Sequence, residues 1–424
     1  MRSSIIVLFL LALIAVAAAG QSDPVASLGK EIFFDQRLSM NQNQSCSSCH
    51  DPIAGWTGPD SSVNAGVAIS AGSVAGRFGN RKPPSSAYAT PSPIFTPVNA
   101  AAHLARRMRS VARGTDETIK RRIREEALFV GGNFWDGRAT GERLGSPAAE
   151  QAQGPFLNPL EHALGTPADV VAAVCSGPYR ARFLEAWGNE ICDAERTAHA
   201  YDSIARSIAA FEASPESNAF TSKFDYFLKG QAGLTMMEMQ GFNFFIGPGQ
   251  CARCHSLDPA EGMPPTLTDY TYDNIGIPKN RENPFYAQMD VNPLGTAWVD
   301  RGLAGFLETR PRWAHLAPLH EGMHRVPTLR NVDKRPYPGF VKSYGHNGYF
   351  KTLEAIVHFY NTRDVKRRCA DPLASEAEAL AQNCWPAPEV EANVNSAHMG
   401  NLALMPMQEQ AIVAFLRALT DGYQ

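Results

Sequence analysis

The chain has 424 residues, of which 44% are hydrophobic and 19% are charged, and its formal net charge is −3. This composition is typical of a globular protein with ordinary hydrophobic cores, and the length allows two or three domains. The small negative charge gives no general basic field, which argues against a nucleic-acid-binding protein.

The N-terminus has the features of a secretory signal peptide. Arg2 supplies a positive charge, residues 5–17 are apolar, and residues 17–20 are small. We therefore expect a signal peptide at residues 1–20, export to the periplasm, and a mature chain without a membrane span. An uncleaved anchor is the alternative, which the shortness of the apolar run disfavours.

Two Cys-x-x-Cys-His runs dominate the sequence. Two thiols one turn apart can form thioethers with the vinyl groups of a haem, and the adjacent histidine can bind the iron. A single run could also be a redox dithiol or half of a zinc site, but two in one exported chain predict two covalent haems c. The motif residues are Cys46, Cys49 and His50 in the first run, and Cys251, Cys254 and His255 in the second.

The other four cysteines form two local pairs, Cys175 with Cys192 and Cys369 with Cys384. In an oxidising compartment each pair can close a loop of fewer than twenty residues and stabilise the fold by about 3 kcal/mol. Four free thiols are the alternative.

Capping residues and periodicity predict helices. Asp23 and Pro24 can begin a helix, and residues 166–212 are helical in pattern. Thr235 and Glu238 form a capping box ahead of the second haem motif.

Near the C-terminus, Leu353, Ile356, Val357 and Tyr360 fall on one helical face. Residues 52–97 and 258–345 are loop-rich, and no strong strand pattern is present. We expect a mainly α protein of two cytochrome c-like lobes with long loops and one haem each, at residues 21–215 and 216–424. The basic segment at 100–124 is either a docking face for an acidic partner or a solvated helical face.

Five stretches identify a family resemblance. They are residues 28–35, 134–138, 151–161, 326–331 and 346–348. Together with the haem motifs they resemble the bacterial dihaem cytochrome c peroxidases, and specifically the MauG-like branch of that family.

The resemblance implies separate roles for the two haems. The haem on His50 meets hydrogen peroxide, the haem on His255 handles electrons, and Trp135 lies between them. Glu161 and Gln151 are implied on the peroxide side, where a buried carboxylate can move the proton that O–O cleavage requires. The alternatives are a plain core tryptophan and a surface or helix-capping carboxylate. The neighbouring His162 is interpreted as a bystander.

Tyr360 is implied as the second axial ligand of the C-terminal haem, where peroxidases fed by small electron carriers use methionine. A phenolate favours the higher oxidation states of iron, whereas methionine favours the reduced state. The alternative is that Tyr360 only packs, and that His358, Met405 or Met407 binds the iron.

The sequence departs from the classical peroxidases in two respects. No histidine in residues 76–81 is available to cap the first haem, and His103 is a poor substitute, so this haem is expected to have an open face. Tyr88 replaces the expected calcium-binding asparagine, and residues 341–343 replace the usual Thr-x-Pro. Calcium between the lobes is therefore in doubt.

The resemblance thus predicts an enzyme that uses hydrogen peroxide to reach a high-valent dihaem state and then oxidises a protein partner. One alternative is a peroxide-detoxifying cytochrome c peroxidase that a small cytochrome or copper protein supplies with electrons. The other is a dihaem electron-transfer protein without enzyme activity.

Overall fold

The computed structural model describes residues 23–99, 127–259 and 262–424. The predicted signal peptide, the basic segment at 100–124 and His103 lie outside the described residues. Within the described ranges the protein is rich in helices and has only short strands, which confirms the mainly α prediction.

Short helices are joined by long loops. They are α1 (Pro24–Phe33), α2 (Ser61–Ala65), α3 (Pro147–Leu157), α4 (Pro167–Cys175), α5 (Arg180–Trp187), α6 (Thr197–Glu212), α7 (Lys223–Leu228), α8 (Met236–Ile246), α9 (Leu303–Glu308), α10 (Leu353–Thr362), α11 (Glu376–Ala381) and α12 (Pro406–Arg417).

Six described strands pair two by two. They are β1 (Thr96–Asn99) with β2 (Ala127–Val130), β3 (Tyr272–Asp273) with β4 (His324–Arg325), both antiparallel, and β5 (Arg367–Arg368) with β6 (Cys384–Trp385), which is parallel. Each strand has two to four residues, which is too short for an alternating pattern to be visible in the sequence.

The predicted helix starts are confirmed. The Asp23 side chain accepts a hydrogen bond of 2.9 Å from the backbone N–H of Val25, as an N-cap does. Thr235 and Glu238 exchange side-chain and backbone hydrogen bonds at the start of α8.

Two large hydrophobic clusters each pack against one haem motif. The first contains residues of α1 and α3–α6 and packs against Cys46. The second contains residues of α7, α8, α10 and α12 and packs against Cys251. A smaller third cluster joins Phe95 and Phe129 to the segment around α9. This arrangement is consistent with two lobes, while the boundary at residue 215 stays a prediction.

Each large cluster has one helix crossing that depends on a glycine. In the first, α1 crosses α6 so closely that a Cβ atom on Gly29 would lie 1.8 Å from the carbonyl oxygen of Ser207. In the second, α8 crosses α12, and a Cβ atom on Gly241 would lie 1.8 Å from the carbonyl oxygen of Ala411. Any side chain at these positions would force the helices apart.

Two disulfides close the local cysteine pairs. Cys175 is bonded to Cys192 at the end of α4, and Cys369 is bonded to Cys384 in β6. No helix among the described residues combines the length and the apolar character needed to cross a membrane.

We predict that Gly29→Ala lowers the free energy of unfolding by about 1–3 kcal/mol, because the new methyl group would clash with backbone of α6. Thermal and denaturant unfolding of the haem-loaded protein would measure this loss. Gly233→Ala is the control, since a Cβ atom there meets no atom within 4 Å. Equal stability of the two variants would contradict the close crossing.

Candidate functional site

Both haem motifs form the same tight turn. The backbone N–H of His50 donates to the carbonyl of Cys46 at 2.9 Å, and the N–H of His255 donates to the carbonyl of Cys251 at 2.9 Å. The turn therefore brings the two cysteines and the histidine of each motif within one helical turn, as attachment to one macrocycle requires.

Both histidines have the same orientation. Nδ1 of His50 lies 3.3 Å from the carbonyl oxygen of Trp56, and Nδ1 of His255 lies 3.0 Å from that of Leu267. An Nδ1–H bond to a carbonyl leaves Nε2 as the metal-binding atom. Burial lowers the pKa of His50 to about 4, so its imidazole is neutral and able to bind iron.

The thiols lack the character of a redox dithiol. Burial raises the pKa of Cys49 to about 11 and that of Cys251 to about 12, whereas reactive Cys-x-x-Cys pairs have lowered values. The two motifs also line different cavities, which argues against one zinc site shared between them. These observations favour two separate haem sites.

The two cavities have a common wall. The cavity at the first motif has a volume of about 1160 Å³ and that at the second about 1810 Å³, including space open to solvent. The residues that line both cavities are Lys82, Pro84, Ser85, Trp135, Arg325 and Pro327.

Two cations in this wall fit a haem in each cavity. Nε and Nη2 of Arg325 are buried and have no hydrogen-bond partner among the described residues. Lys82 is also buried, and burial lowers its pKa to about 8. Burying guanidinium N–H groups without a partner costs free energy, so these atoms are expected to bind an anion. The carboxylates of haem propionates would supply one.

Trp135 occupies the centre of the wall. Its indole N–H donates to the carbonyl oxygen of Lys82 at 2.8 Å, which fixes the ring. The preceding residue, Phe134, has a φ of +64°, and a Cβ atom on Gly137 would lie 2.2 Å from the Tyr272 hydroxyl oxygen. This tight turn explains why the Phe-Trp-Asp-Gly-Arg sequence places the indole between the cavities.

Glu161 and Gln151 are brought together in the first cavity. Gln151 lies on α3, and Glu161 lies in the turn that follows. Asn158 Nδ2 donates to Oε1 of Glu161 at 2.6 Å. Burial raises the pKa of Glu161, while the charge of Arg138 and the Asn158 hydrogen bond oppose that rise.

His162 is outside this group. Its Nδ1 lies 2.7 Å from the carbonyl oxygen of Leu38, and its side chain is buried away from the cavity lining. Its environment agrees with the bystander interpretation.

The first cavity has no second ligand of a usual kind for the iron. Among the described residues that line it, His50 is the only histidine, and neither methionine nor tyrosine occurs. This composition agrees with the expected open face.

Tyr360 lines the second cavity together with the second haem motif. Of the predicted alternatives, His358 faces Glu409, with 3.0 Å between Nδ1 and Oε1. Met405 and Met407 are 62% and 66% exposed. None of these three lines the cavity.

Sequence reasoning missed two residues beside Tyr360 and one in the first cavity. His398 and Met399 line the second cavity and are further ligand candidates. Glu212 is buried at the end of α6 and lines the first cavity, and burial raises its pKa to about 8. The sequence does contain a signal for Glu212. It lies four residues after Ile208, so its carboxylate falls on the apolar face of α6 and is expected to be buried.

Several known proteins are similar to this chain in sequence. Residues 23–233 match the family model described as di-haem cytochrome c peroxidase. The chain is 32% identical to the methylamine utilization protein MauG of Paracoccus denitrificans over 96% of this chain and 91% of that protein. It is 29% identical to the cytochrome c551 peroxidase of Nitrosomonas europaea over 80% of this chain and 74% of that protein.

Two solved structures are similar to this protein in fold. The diheme peroxidase BthA from Burkholderia thailandensis matches with a TM-score of 0.69 and 26% identity, over 95% of this chain and 89% of that chain. A MauG-like protein associated with microbial copper homeostasis shares the fold, with a TM-score of 0.58 and 22% identity, over 95% of this chain and 91% of that chain.

The Asn158 hydrogen bond leads to a prediction about pH. Asn158→Asp replaces the N–H donor by a second carboxylate, so the pKa of Glu161 should rise further. A carboxylate must be ionised to accept a proton. With Glu161 as the proton acceptor that the family resemblance implies, the rate of reaction with peroxide should begin to fall at a higher pH than in the wild type. Stopped-flow rates across pH would show the shift, and Asn393→Asp on the surface is the control. Superimposable pH–rate profiles of Asn158→Asp and the wild type would contradict this prediction.

Proposed function

The chain belongs to the di-haem cytochrome c peroxidase family, and we propose that it uses hydrogen peroxide to oxidise a protein partner, as a MauG-like enzyme. It is a dihaem peroxidase-type oxidoreductase. The proposal depends on one observation: two motif-bearing cavities meet at Trp135, with Glu161 lining only the first and Tyr360 only the second. On the basis of residues 1–20, we place the reaction in the periplasm.

The residues that would hold the haems are Cys46, Cys49 and His50 for the first, and Cys251, Cys254, His255 and Tyr360 for the second. When bound, the haems supply redox-active iron that peroxide can oxidise.

Glu161 would act as the proton carrier. It would accept a proton from one peroxide oxygen and return it to the other, so that this oxygen could leave as water, while the haem would supply the two electrons that O–O cleavage requires. Its raised pKa brings it closer to the pH at which accepting and donating are both favourable. Gln151 lines the same cavity and would hold peroxide or water by hydrogen bonds.

Trp135 would connect the two sites. The indole lines both cavities and can pass an oxidising equivalent from the first to the second. The hydrogen bond to Lys82 keeps the ring in one orientation.

Tyr360 favours oxidation of a partner over peroxide removal. Burial raises the pKa of this phenol, so its anion is stable in the cavity only opposite a cation such as ferric iron. An anionic ligand of this kind stabilises oxidised haem.

A peroxide-detoxifying cytochrome c peroxidase is the second candidate. Met399 in the same cavity favours it, because a methionine ligand would raise the reduction potential. An electron-transfer protein without enzyme activity is disfavoured by the first cavity, which offers iron a single histidine among the described residues.

We predict that Glu161→Gln slows the reaction of the diferric protein with peroxide by about 10²–10⁴-fold, because the amide cannot carry the proton. Stopped-flow absorbance would measure the rate. Glu142→Gln is the control, since its partly exposed carboxylate pairs with Arg312. An unchanged rate in Glu161→Gln would remove this residue from the mechanism.

The ligand assignment gives a second prediction. Ferric wild-type protein should show one high-spin and one low-spin EPR signal, and stoichiometric peroxide should produce a long-lived near-infrared band. Tyr360→Met should change the low-spin signal and abolish the band, whereas Met399→Leu and His358→Ala should leave both unchanged. If Met399→Leu alters the low-spin signal and Tyr360→Met does not, the detoxifying peroxidase becomes the better assignment.

A further inference from the structure

The family resemblance implies a calcium ion between the lobes, but the residues at that place do not fit one. Tyr88 replaces the asparagine ligand, and its hydroxyl group is already used: it donates to Asp421 Oδ2 at 2.7 Å and accepts the N–H of Phe220 at 3.0 Å. The second half of the site, residues 341–343, contains a lysine.

The side chain of Lys342 is buried, and its amino group has three carbonyl partners. Nζ lies 2.8 Å from the oxygen of Ala54, 2.8 Å from that of Asn331 and 3.1 Å from that of Lys334. Three acceptors match the three N–H donors of an ammonium group, whereas a neutral amine has two. Burial and the nearby Lys82 lower the pKa of Lys342 well below its usual value, and the charge of Asp333 opposes that change.

The contact joins the two parts of the chain that carry the haem motifs. Ala54 lies four residues after the end of the first motif, and Asn331 lines the second cavity. Gly55 makes the approach possible, because a Cβ atom there would lie 2.8 Å from the Asn331 oxygen and 3.0 Å from Nζ.

We propose that the ammonium group of Lys342 takes the place of the calcium ion, so that this protein carries its own cation between the two haem sites. Carbonyl oxygens are also hard-cation ligands, but calcium takes six to eight oxygens. Here Nζ meets three carbonyl oxygens, and no carboxylate of the described part of the chain lies within hydrogen-bonding distance. Lys342 is a positioning residue, and its role is independent of which molecule the enzyme oxidises.

The first test uses the haem-loaded wild-type protein. Metal analysis should find no stoichiometric calcium, and excess EGTA or added calcium should leave the Tm and the EPR signals of both haems unchanged. Bound calcium, or a Tm that falls with EGTA, would overturn the proposal even if no variant folds.

The second test is chemical rescue. Lys342→Ala should lower the Tm by at least about 3 °C, and methylammonium should restore it, because that cation can enter the vacated space and donate three hydrogen bonds. Tetramethylammonium has no N–H and should not restore it. Lys229→Ala, at an exposed lysine, should show neither effect. Equal effects of the two cations would contradict a specific ammonium site.

Discussion

A buried ion network around Arg81 fixes the relation between the two cavities. Its guanidinium contacts Asp136 at 2.6 Å and Asp300 at 2.6 and 2.7 Å, and so joins the turn that carries Trp135 to a distant loop of the second half. Although burial alone would raise the pKa of Asp300, the charge of Arg81 lowers it well below its usual value. Removing one member of such a network leaves an unpaired buried charge, which is far more costly than losing a surface ion pair. Since Lys82, the residue after Arg81, accepts the indole N–H, the position of Trp135 depends directly on this network.

The two haem sites start from the same motif and differ in what surrounds it. Each histidine has a carbonyl partner on Nδ1, and each of the two large hydrophobic clusters contains a helix crossing at a glycine. The first cavity then presents Glu161 and Gln151, which suit proton transfer, whereas the second presents Tyr360, which suits stabilisation of oxidised iron. In the proposed mechanism, division of labour between the two halves would therefore arise from a few cavity-facing side chains rather than from different folds.

Local information in the sequence was sufficient for the haem motifs, the N-caps at Asp23 and Thr235, and the helix that carries Tyr360. These features depend on neighbours within a few residues, and the spacing of residue types reveals them. Lys342 and Arg325 could not be assigned in the same way. The partner Ala54 is 288 positions from Lys342 in the sequence, and Nε and Nη2 of Arg325 have no hydrogen-bond partner within the ranges that the structure describes. Residues 151–161 could be predicted only in part. The family resemblance assigned Gln151 and Glu161 to the same site, whereas the hydrogen bond from Asn158 to Glu161 was visible only in the structure.

The unpaired charge of Arg325 also has a consequence for biogenesis. Before a prosthetic group arrives, a polypeptide that closed around this wall would bury a guanidinium with two unsatisfied N–H groups beside a partly desolvated lysine. We therefore expect the haem-free chain to be less stable in its compact state than the haem-loaded protein. Because a group that binds only the folded state stabilises it, chains without haem would unfold more often and would be more open to proteolysis.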